Sequence, residues 1–367
     1  MSRLPVHLVA AARPNFMKVA PLYHALAATD WAKPVIVHTG QHYDYNMSDA
    51  FFADLGLPEP GFHLGVGSGS HGEQTGRVMI EYEKVCMEHR PACVIVVGDV
   101  NSTIACAMSA AKLQVPVVHL EAGLRSNDRG MPEELNRLAT DAISDLLWTP
   151  SPDADENLRA EGKPDGAFEC VGNIMLDSFE LLRSRIEAAG ADIDIEQPER
   201  FAVMTLHRPS NVDEEPTLAR IIDALTDIAA NQIPLLFVAH PRTRERLTRF
   251  NLLDRLADAP GLTVLEPLSY VPFMHLVTKS ALCITDSGGL QEETTYLGIP
   301  CLTLRPNTER PITITMGTNR LVTPDTLQDS VTEALSGAWP TGRRPALWDG
   351  VTASRCVESL KRFLDRA

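Results

Sequence analysis

The sequence is short of basic residues and of long apolar runs. Of its 367 residues, 33 are lysine or arginine and 48 are aspartate or glutamate, which gives a formal net charge of −15. Because a nucleic-acid backbone demands a basic surface, this charge argues against a nucleic-acid partner. No apolar run approaches the length that spans a bilayer, and no signal-peptide pattern precedes the first predicted strand at residues 6–11. We therefore expect a cytoplasmic protein without a membrane partner.

Cysteine motifs and common catalytic signatures are missing as well. The seven cysteines form no Cys-x-x-Cys pair, and most lie in apolar or helical stretches, as at residues 92–94 and 282–284. They are typical of reduced core residues, not of a disulfide framework or a zinc site. The chain has no Gly-x-Ser-x-Gly elbow and no Walker A loop, and the glycine-rich residues 65–70 do not follow a strong strand, as a dinucleotide fingerprint would. We expect no metal, no NAD and no other cofactor.

Short apolar runs alternate with helical patterns along the whole chain. Strands are predicted at residues 6–11, 35–38, 93–98, 117–120 and 147–149 in the first half, and at residues 201–206, 235–239, 262–265, 281–285 and 300–304 in the second. Such alternation is typical of right-handed crossovers and of parallel sheets covered on both faces. The sequence therefore predicts an α/β fold of two Rossmann-like, doubly wound parallel-sheet domains that face a cleft.

The predicted break between the domains follows residue 172. Residues 1–172 form the first domain, and residues 173–350 the second. The closing residues 351–367 carry a helical pattern that we expect to cross back to the first domain. A chain of 367 residues exceeds the size of a comfortable single core, which agrees with two domains.

Residues 286–293 read Asp-Ser-Gly-Gly-Leu-Gln-Glu-Glu, directly after an apolar run and at the start of a helical pattern that ends at Gly298. A strand that turns through small residues into a helix leaves backbone N–H groups free at the positive end of the helix dipole. Such a turn favours a phosphate, and the acidic pair one turn later can hold sugar hydroxyls. An ordinary strand-to-helix turn with a solvated glutamate pair explains the octapeptide equally well.

Ligands of a doubly wound sheet bind beyond the carboxyl ends of its strands. The turns predicted at those ends are rich in polar residues, namely Arg13 with Lys18, Gln41 and His42, Asp99, His119 with Glu121 and Arg125, Glu133 and Glu134, His207 and Arg208, His240, and Glu309 with Arg310. Carboxylates and an imidazole in a water-poor cleft suit general acid–base catalysis, and the cations can neutralise a diphosphate. Each residue alone is explained as well by a helix cap, a core histidine or a solvated charge. The whole set indicates one shared cleft.

Eight ordered blocks of residues resemble the non-hydrolysing UDP-N-acetylglucosamine 2-epimerase family across essentially the whole chain. They lie at residues 12–18, 39–42, 98–103, 119–125, 131–137, 205–208, 286–293 and 308–311. The resemblance implies the architecture of B-type glycosyltransferases, a homodimer, a UDP-sugar substrate, and no need for NAD or metal. It also implies a reaction for polysaccharide biosynthesis: inversion of C2 of UDP-N-acetylglucosamine to UDP-N-acetylmannosamine, by anti elimination of UDP through a 2-acetamidoglucal and re-addition.

The resemblance further implies the residues that act. Two faces of the sugar require two proton carriers, and the family's catalytic residues fall on Asp99, Glu121, Glu133 and His207. Its UDP contacts fall on Arg13, Lys18, Phe273, Ser287, Gly288, Gly289 and Glu293, with Phe273 placed to stack on uracil. Further substrate contacts are expected at Gln41, His42, Arg125, Arg137, Arg208, His240 and Arg310.

The chain departs from the family at residues 207–211, which read His-Arg-Pro-Ser-Asn where many members read His-Arg-Arg-Glu-Asn. The change indicates either a loss of activation by a second substrate molecule or a different sugar, such as UDP-2,3-diacetamido-2,3-dideoxyglucuronate. A B-type UDP-sugar glycosyltransferase, a hydrolysing epimerase and a non-catalytic sugar-nucleotide sensor are further alternatives. Retention of all four catalytic positions argues against the sensor.

Overall fold

The computed structural model describes residues 3–40, 52, 54–193, 195 and 197–366, without the side chains of residues 13, 191 and 192. The chain divides into two compact units, Met1–Leu181 with Ala346–Ala367, and Leu182–Pro345. Each unit is built on one parallel sheet. The predicted fold class of two Rossmann-like parallel-sheet domains is confirmed. The domain limits expected at residues 172 and 350 stay a prediction.

The first unit holds a seven-stranded sheet. Its strands are β1 (Leu4–Ala10), β2 (Ala32–His38), β3 (Phe62–His63), β4 (Cys93–Val97), β5 (Val117–Leu120), β6 (Leu146–Thr149) and β7 (Phe168–Cys170). All pairs are parallel, in the order β3-β2-β1-β4-β5-β6-β7. The accompanying described helices are α1 (Arg13–Ala27), α2 (His71–His89), α3 (Asn101–Lys112), α4 (Pro132–Ile143) and α5 (Pro152–Ala160). Helix α6 (Ile174–Ala188) begins in this unit and continues past Leu181 into the second.

The second unit holds a six-stranded sheet. Its strands are β8 (Ala202–Thr205), β9 (Leu235–Val238), β10 (Leu262–Leu265), β11 (Leu282–Thr285), β12 (Cys301–Leu304) and β13 (Asn319–Val322), in the parallel order β10-β9-β8-β11-β12-β13. The helices are α7 (Pro209–Val212), α8 (Glu215–Asn231), α9 (Pro241–Arg249), α10 (Leu253–Ala257), α11 (Tyr270–Lys279), α12 (Gly288–Leu297), α13 (Ile312–Thr315) and α14 (Leu327–Leu335). The last helix, α15 (Thr352–Leu364), belongs to the first unit again and packs on its α1.

The central strands are continuous apolar runs because both of their faces are covered. All five residues of β4, Cys-Val-Ile-Val-Val, are buried, and so are all four of β11. Such runs of β-branched residues are typical of parallel sheets between helix layers. This is why the sequence pattern located the interior strands within one or two residues, except β2, which begins three residues before its predicted start.

Three short strands are absent from the sequence prediction. They are β3, β7 and β13, and each lies at an end of its sheet. These strands are only two to four residues long, and β3 and β13 are partly exposed. A run this short and this polar carries no apolar signal that separates it from a loop.

Strand order reverses once in each sheet, between β1 and β4 and between β8 and β11. The crossover helices leave these neighbouring strands toward opposite faces, which opens a crevice at their carboxyl ends. Residues 11–13 and 98–99 follow the two strands of the first unit, and residues 206–208 and 286–288 those of the second. The topology therefore places four of the predicted turns, those that hold Arg13, Asp99, His207 and Gly288, at the crevices where ligands of doubly wound sheets bind.

The turn after β7 requires a glycine at position 172. Gly172 has a φ of +93°, and a Cβ built on it would lie 2.2 Å from the carbonyl oxygen of Leu347. Gly162 also has a positive φ, +86°, but a Cβ there would have no neighbouring atom within 4 Å. We expect Gly172→Ala to lower the free energy of unfolding by about 3 kcal/mol and Gly162→Ala by about 1 kcal/mol in urea unfolding. Equal losses would show that φ alone, and not the approach of Leu347, sets the requirement.

Candidate functional site

Asn15 ties the carboxyl ends of β1 and β4 together. Its side-chain oxygen accepts a hydrogen bond from the backbone N–H of Ala12 at 3.0 Å, and its amide nitrogen donates to the carbonyl of Val97 at 3.2 Å. Asn15 is buried, so this side chain satisfies backbone groups that water cannot reach. It thereby fixes the turn that leads to Asp99.

Lys18 and Glu121 form an ion pair beside that turn. The Lys18 ammonium contacts Oε2 of Glu121, and the two side chains are only 11% and 10% exposed. Gly98 has a φ of +68°, and a Cβ there would lie 3.7 Å from each of these two charged atoms. Two residues predicted for different tasks, UDP binding and catalysis, are therefore neighbours in one unit.

Glu121 itself has an unusual backbone conformation. Its φ is +75°, in the left-handed region that a glutamate rarely adopts. The N–H groups of Glu121 and Ala122 both donate to the carbonyl of Trp148, at 3.1 and 3.0 Å. Strain of this kind persists only where the surroundings hold it, and it is concentrated at functional sites.

Asp99 is held by Arg137 on α4. One guanidinium nitrogen of Arg137 contacts the Asp99 carboxylate, and another donates to Glu134 at 2.7 Å. Burial opposes ionisation of Glu134, but the backbone N–H of Ser126 and the Arg137 guanidinium outweigh it and lower its pKa. Glu133, one residue earlier, is exposed in the first turn of α4. The structure thus brings Asp99 and Arg137 together and leaves Glu133 at the surface of its unit.

His207 and Asp286 form a pair at the strand reversal of the second unit. The His207 Nδ1 lies 2.9 Å from Oδ1 of Asp286, and the histidine side chain is 38% exposed. The same buried carboxylate accepts the backbone N–H groups of His207 at 3.0 Å and Arg208 at 2.9 Å. Burial raises the pKa of Asp286, but the hydrogen bond and charge of His207 outweigh it and lower the pKa. A ring held at Nδ1 leaves Nε2 for proton transfer.

The start of α12 has one crowded glycine and one open glycine. A Cβ on Gly288 would lie 2.9 Å from the Arg310 guanidinium and 2.9 Å from the Glu309 carboxylate, whereas a Cβ on Gly289 would meet no atom within 4 Å. Ser287 precedes them, and its N–H donates to the Thr285 hydroxyl at 2.9 Å. Gly288 therefore permits the approach of Arg310 to the helix end, and the space beside Gly289 is open to a ligand.

The acidic pair of α12 is buried, so the alternative of a solvated glutamate pair is wrong. Glu292 lies 2.8 Å from the Arg310 guanidinium, and Glu293 accepts a hydrogen bond from the Tyr270 hydroxyl at 2.7 Å. Burial raises the pKa of Glu293, the hydrogen bond from Tyr270 opposes the rise and the charge of Glu292 adds to it, which together bring the pKa to about 7. Glu293 is therefore a buried hydrogen-bonding group that can exist in either protonation state near neutral pH.

The remaining predicted residues of the second unit surround these two centres. The guanidinium of Arg208 lies 3.9 Å from Glu309, and burial together with Arg305 lowers its pKa. The His240 ring lies 5.6 Å from the His207 ring, and burial and the His207 charge lower its pKa. Phe273 is half-buried on α11.

Some predicted residues of the first unit stand apart or cannot be described. Arg125 is buried, and its guanidinium donates to Asp141 at 2.7 Å and to Glu161 at 2.7 Å. Arg13 begins α1, but its side chain lies outside the described part of the structure. Gln41 and His42 lie outside the described residues.

Sequence reasoning missed the residues that orient the predicted ones. Asn15 lay within a recognised block and Asp286 within a quoted motif, but neither received a role, and Tyr270 was not noticed. The available signal for Asp286 was its place directly after a buried strand, where a carboxylate can accept backbone N–H groups of the neighbouring turn. Tyr270 carries no such signal, because its partner Glu293 is distant in sequence.

Within the described residues, no group of three or more histidine, cysteine, aspartate or glutamate side chains is arranged to hold a metal ion. No helix in that part of the chain is long and apolar enough to cross a membrane.

The fold is that of two-domain B-type glycosyltransferases. The structure of a spinosyn rhamnosyltransferase complexed with spinosyn aglycone matches 98% of this chain and 96% of its own, with a TM-score of 0.53 and 16% identity, a likeness that concerns the fold alone. The family described as UDP-N-acetylglucosamine 2-epimerase matches residues 24–361. The chain belongs to this family of isomerases, which confirms the resemblance seen in the sequence.

Relatives in the family are similar over most of their length. A UDP-N-acetylglucosamine 2-epimerase of Methanocaldococcus jannaschii is 41% identical over 332 residues, 87% of this chain and 88% of the relative. A crystal structure from the same organism, in complex with UDP-GlcNAc and UDP, has a TM-score of 0.88 at 38% identity and covers 98% of this chain and all of its own. A UDP-2,3-diacetamido-2,3-dideoxy-D-glucuronate 2-epimerase of Pseudomonas aeruginosa is 40% identical over 316 residues, 86% of this chain and 87% of the relative.

Glu293 gives the second unit a pH dependence of predictable sign. The unfolded chain releases this proton near pH 4.5, whereas the folded protein retains it to about 7. Ionisation therefore favours the unfolded state, and stability from this group falls as pH rises through that window. We expect Glu293→Gln to gain about 3 kcal/mol of unfolding free energy relative to the wild type between about pH 4 and about pH 8, measured in urea.

Tyr270→Phe is the matched control. Because the Tyr270 hydroxyl favours the ionised carboxylate, its removal should extend the window of falling stability to higher pH. A difference between wild type and Glu293→Gln that stays constant with pH would contradict the raised pKa.

Proposed function

We propose that the protein inverts C2 of UDP-N-acetylglucosamine to give UDP-N-acetylmannosamine, by anti elimination of UDP through a 2-acetamidoglucal and re-addition. The observation that carries the proposal is the 41% identity over 332 residues with the UDP-N-acetylglucosamine 2-epimerase of Methanocaldococcus jannaschii. The polar groups at the strand ends of both units support it.

UDP binds to the second unit in this proposal. The N-terminus of α12 offers backbone N–H groups beside Ser287, Gly288 and Gly289, at the positive end of a ten-residue helix. Arg310 lies next to this helix end and adds positive charge against the diphosphate. These groups stabilise the charge that develops on the diphosphate as its bond to C1 breaks, which lowers the barrier to elimination.

Glu293 and Phe273 hold the nucleoside. Glu293 lies one turn into α12, and its buried carboxyl accepts from Tyr270, so it is preorganised to accept from a ribose hydroxyl. Phe273 lies on the same helix as Tyr270 and offers a half-buried ring to uracil.

The proposal assigns proton transfer to Asp99, Glu121, Glu133 and His207. Lys18 keeps a positive charge at the Glu121 carboxylate, and Arg137 does the same for Asp99. Asp286 fixes the tautomer of His207 and leaves Nε2 for the substrate. Elimination moves a proton from C2 and UDP from C1, and re-addition returns both, so the reaction involves no net oxidation or reduction and no hydride transfer to NAD.

The sugar of the Pseudomonas aeruginosa relative is a second candidate substrate. That relative is 40% identical, almost the same as the 41% of the Methanocaldococcus jannaschii relative. The Pro209-Ser210 sequence after His207 and Arg208 opens α7 and differs from the Arg-Glu of many family members. Side chains near the catalytic histidine are placed to choose between sugar substituents.

Two UDP-sugars tested in parallel decide between these substrates. We expect the wild type in D2O to convert UDP-N-acetylglucosamine to its C2 epimer with deuterium at C2, followed by proton NMR of the anomeric and H2 signals. Conversion of the diacetamido-glucuronate alone would transfer the proposal to that substrate. Unchanged H2 signals in both would disprove epimerisation, and free N-acetylmannosamine with UDP would indicate a hydrolysing enzyme.

Glu121→Gln separates catalysis from nucleotide binding. Loss of a general acid or base should lower turnover by about 1,000-fold. UDP affinity, measured by isothermal titration, should not fall, because the proposed UDP contacts at α12 belong to the other unit and Lys18, a predicted UDP contact beside Glu121, keeps its charge.

Glu73→Gln is the control, since Glu73 is an exposed glutamate of the same unit that pairs with Arg77. It should retain wild-type turnover. Full activity of Glu121→Gln would remove Glu121 from the mechanism.

A further inference from the structure

His119 lies in the interior of the first unit with hydrogen-bond acceptors at both ring nitrogens. Its Nε2 is 2.8 Å from the carbonyl oxygen of Gly98, and its Nδ1 is 2.6 Å from Oδ1 of Asp141. A carbonyl oxygen can only accept, so Nε2 carries a proton. A carboxylate also accepts, so the ring donates at Nδ1 as well, which is the positively charged form.

Asp141 on α4 collects several donors. Its Oδ2 accepts the backbone N–H of Gly123 at 3.0 Å and the guanidinium of Arg125 at 2.7 Å. Burial raises the pKa of Asp141, but the charges and hydrogen bonds of His119 and Arg125 outweigh it and lower the pKa. Arg125 also donates a hydrogen bond to the Glu161 carboxylate at 2.7 Å. The network therefore connects the end of β4 with β5, α4 and the end of α5.

This network brackets Glu121. His119 lies two residues before Glu121 and Gly123 two residues after it, and both bind the same Asp141 carboxylate. The left-handed conformation of Glu121, with φ of +75°, is thus fixed on either side. Buried charge pairs are weak evidence of stability as such, because desolvation offsets their attraction. Preorganisation of a strained catalytic residue is a better explanation of their presence here.

We infer that His119 and Asp141 are positioning residues that form a buried imidazolium–carboxylate pair. The pair holds Glu121 in its left-handed conformation, and it fixes Gly98, and with it Asp99, at a set distance from His119. The inference rests on the proposed function, since it concerns the two carboxylates assigned to proton transfer. Neither His119 nor Asp141 contacts the substrate in this scheme. Their effect is confined to the geometry of the groups that do.

Two substitutions each cut one of the two hydrogen bonds of His119. Gln at position 119 retains a donor near Nε2 for Gly98 and loses the bond to Asp141, whereas Asn retains a donor near Nδ1 for Asp141 and loses the bond to Gly98. We expect His119→Gln and His119→Asn each to lower kcat by about 100-fold, because misplacement by about 1 Å suffices for such a loss. KM and UDP affinity should stay near wild type, so that kcat and kcat/KM fall together.

His7 is the matched control. It is a buried histidine of β1 in the same sheet, and its Nδ1 lies 3.1 Å from the Tyr82 hydroxyl. Burial and the nearby His89 lower the pKa of His7 to about 4, so its ring is neutral. His7→Gln should lower the stability of the unit in the way that any buried His-to-Gln change does, but it should leave kcat unchanged.

A spectroscopic reading is independent of activity. With ¹⁵N-labelled histidine in the wild type at the assay pH, both ring nitrogens of His119 should carry protons, whereas His7 should show one. If the His119 variants fail to fold, Arg125→Lys serves instead: it keeps the charge, loses the paired contact with Glu161, and should lower kcat by about 10-fold at constant KM.

The outcomes separate this inference from the proposed function. A wild type without C2 exchange disproves the function. An active wild type with undiminished kcat in folded His119→Gln and His119→Asn, or a single ring proton on His119, overturns the positioning pair. Loss of kcat in His7→Gln equal to that in His119→Gln would also overturn it, because the effect would then be one of general stability.

Discussion

The reversal of strand order, between β1 and β4 and again between β8 and β11, determines where the candidate site lies in each unit. Each reversal brings two strand ends side by side where the chain leaves toward opposite faces. The backbone N–H groups of Ala12, His207 and Arg208 at these ends donate to side chains. One buried side chain supplies the partner in each unit, Asn15 in the first and Asp286 in the second. Asn15 and Asp286 thereby hold the turns at the two strand reversals in place.

The predicted catalytic residues Asp99 and His207 lie beside these two side chains. Asn15 fixes the turn before Asp99, and Asp286 fixes both the backbone and the ring of His207. Charged side chains are also buried in the second unit, namely Glu292, Glu309 and Arg310 beside the start of α12. Burying such groups costs desolvation free energy. In exchange, their charges and dipoles are already oriented and need not reorganise when a substrate reacts.

Sequence patterns located the central strands well, because full burial on both faces leaves an apolar run that polar loops interrupt sharply. The edge strands β3, β7 and β13 were missed because two to four partly polar residues carry no such contrast. The local motif likewise predicted the strand-to-helix turn at Gly288 and Gly289, and the structure begins α12 there.

Contacts between residues that are distant in the sequence could not be predicted from it. His207 and Asp286 are 79 residues apart and meet only because β8 and β11 are adjacent. A catalytic role was predicted for Glu133 and none for Glu134, although Glu134 and Arg137 have the spacing of an ion pair on a helix. The substrate contact of Arg125 stays a prediction, and its partners Asp141 and Glu161 are visible only in the fold.

A crystal structure of the protein with UDP would show whether the start of α12 binds the nucleotide. We expect diphosphate oxygens within hydrogen-bond distance of the N–H groups at Gly288 and Gly289, a ribose hydroxyl on Glu293, and uracil against Phe273. A nucleotide bound elsewhere, with this helix end empty, would contradict this expectation.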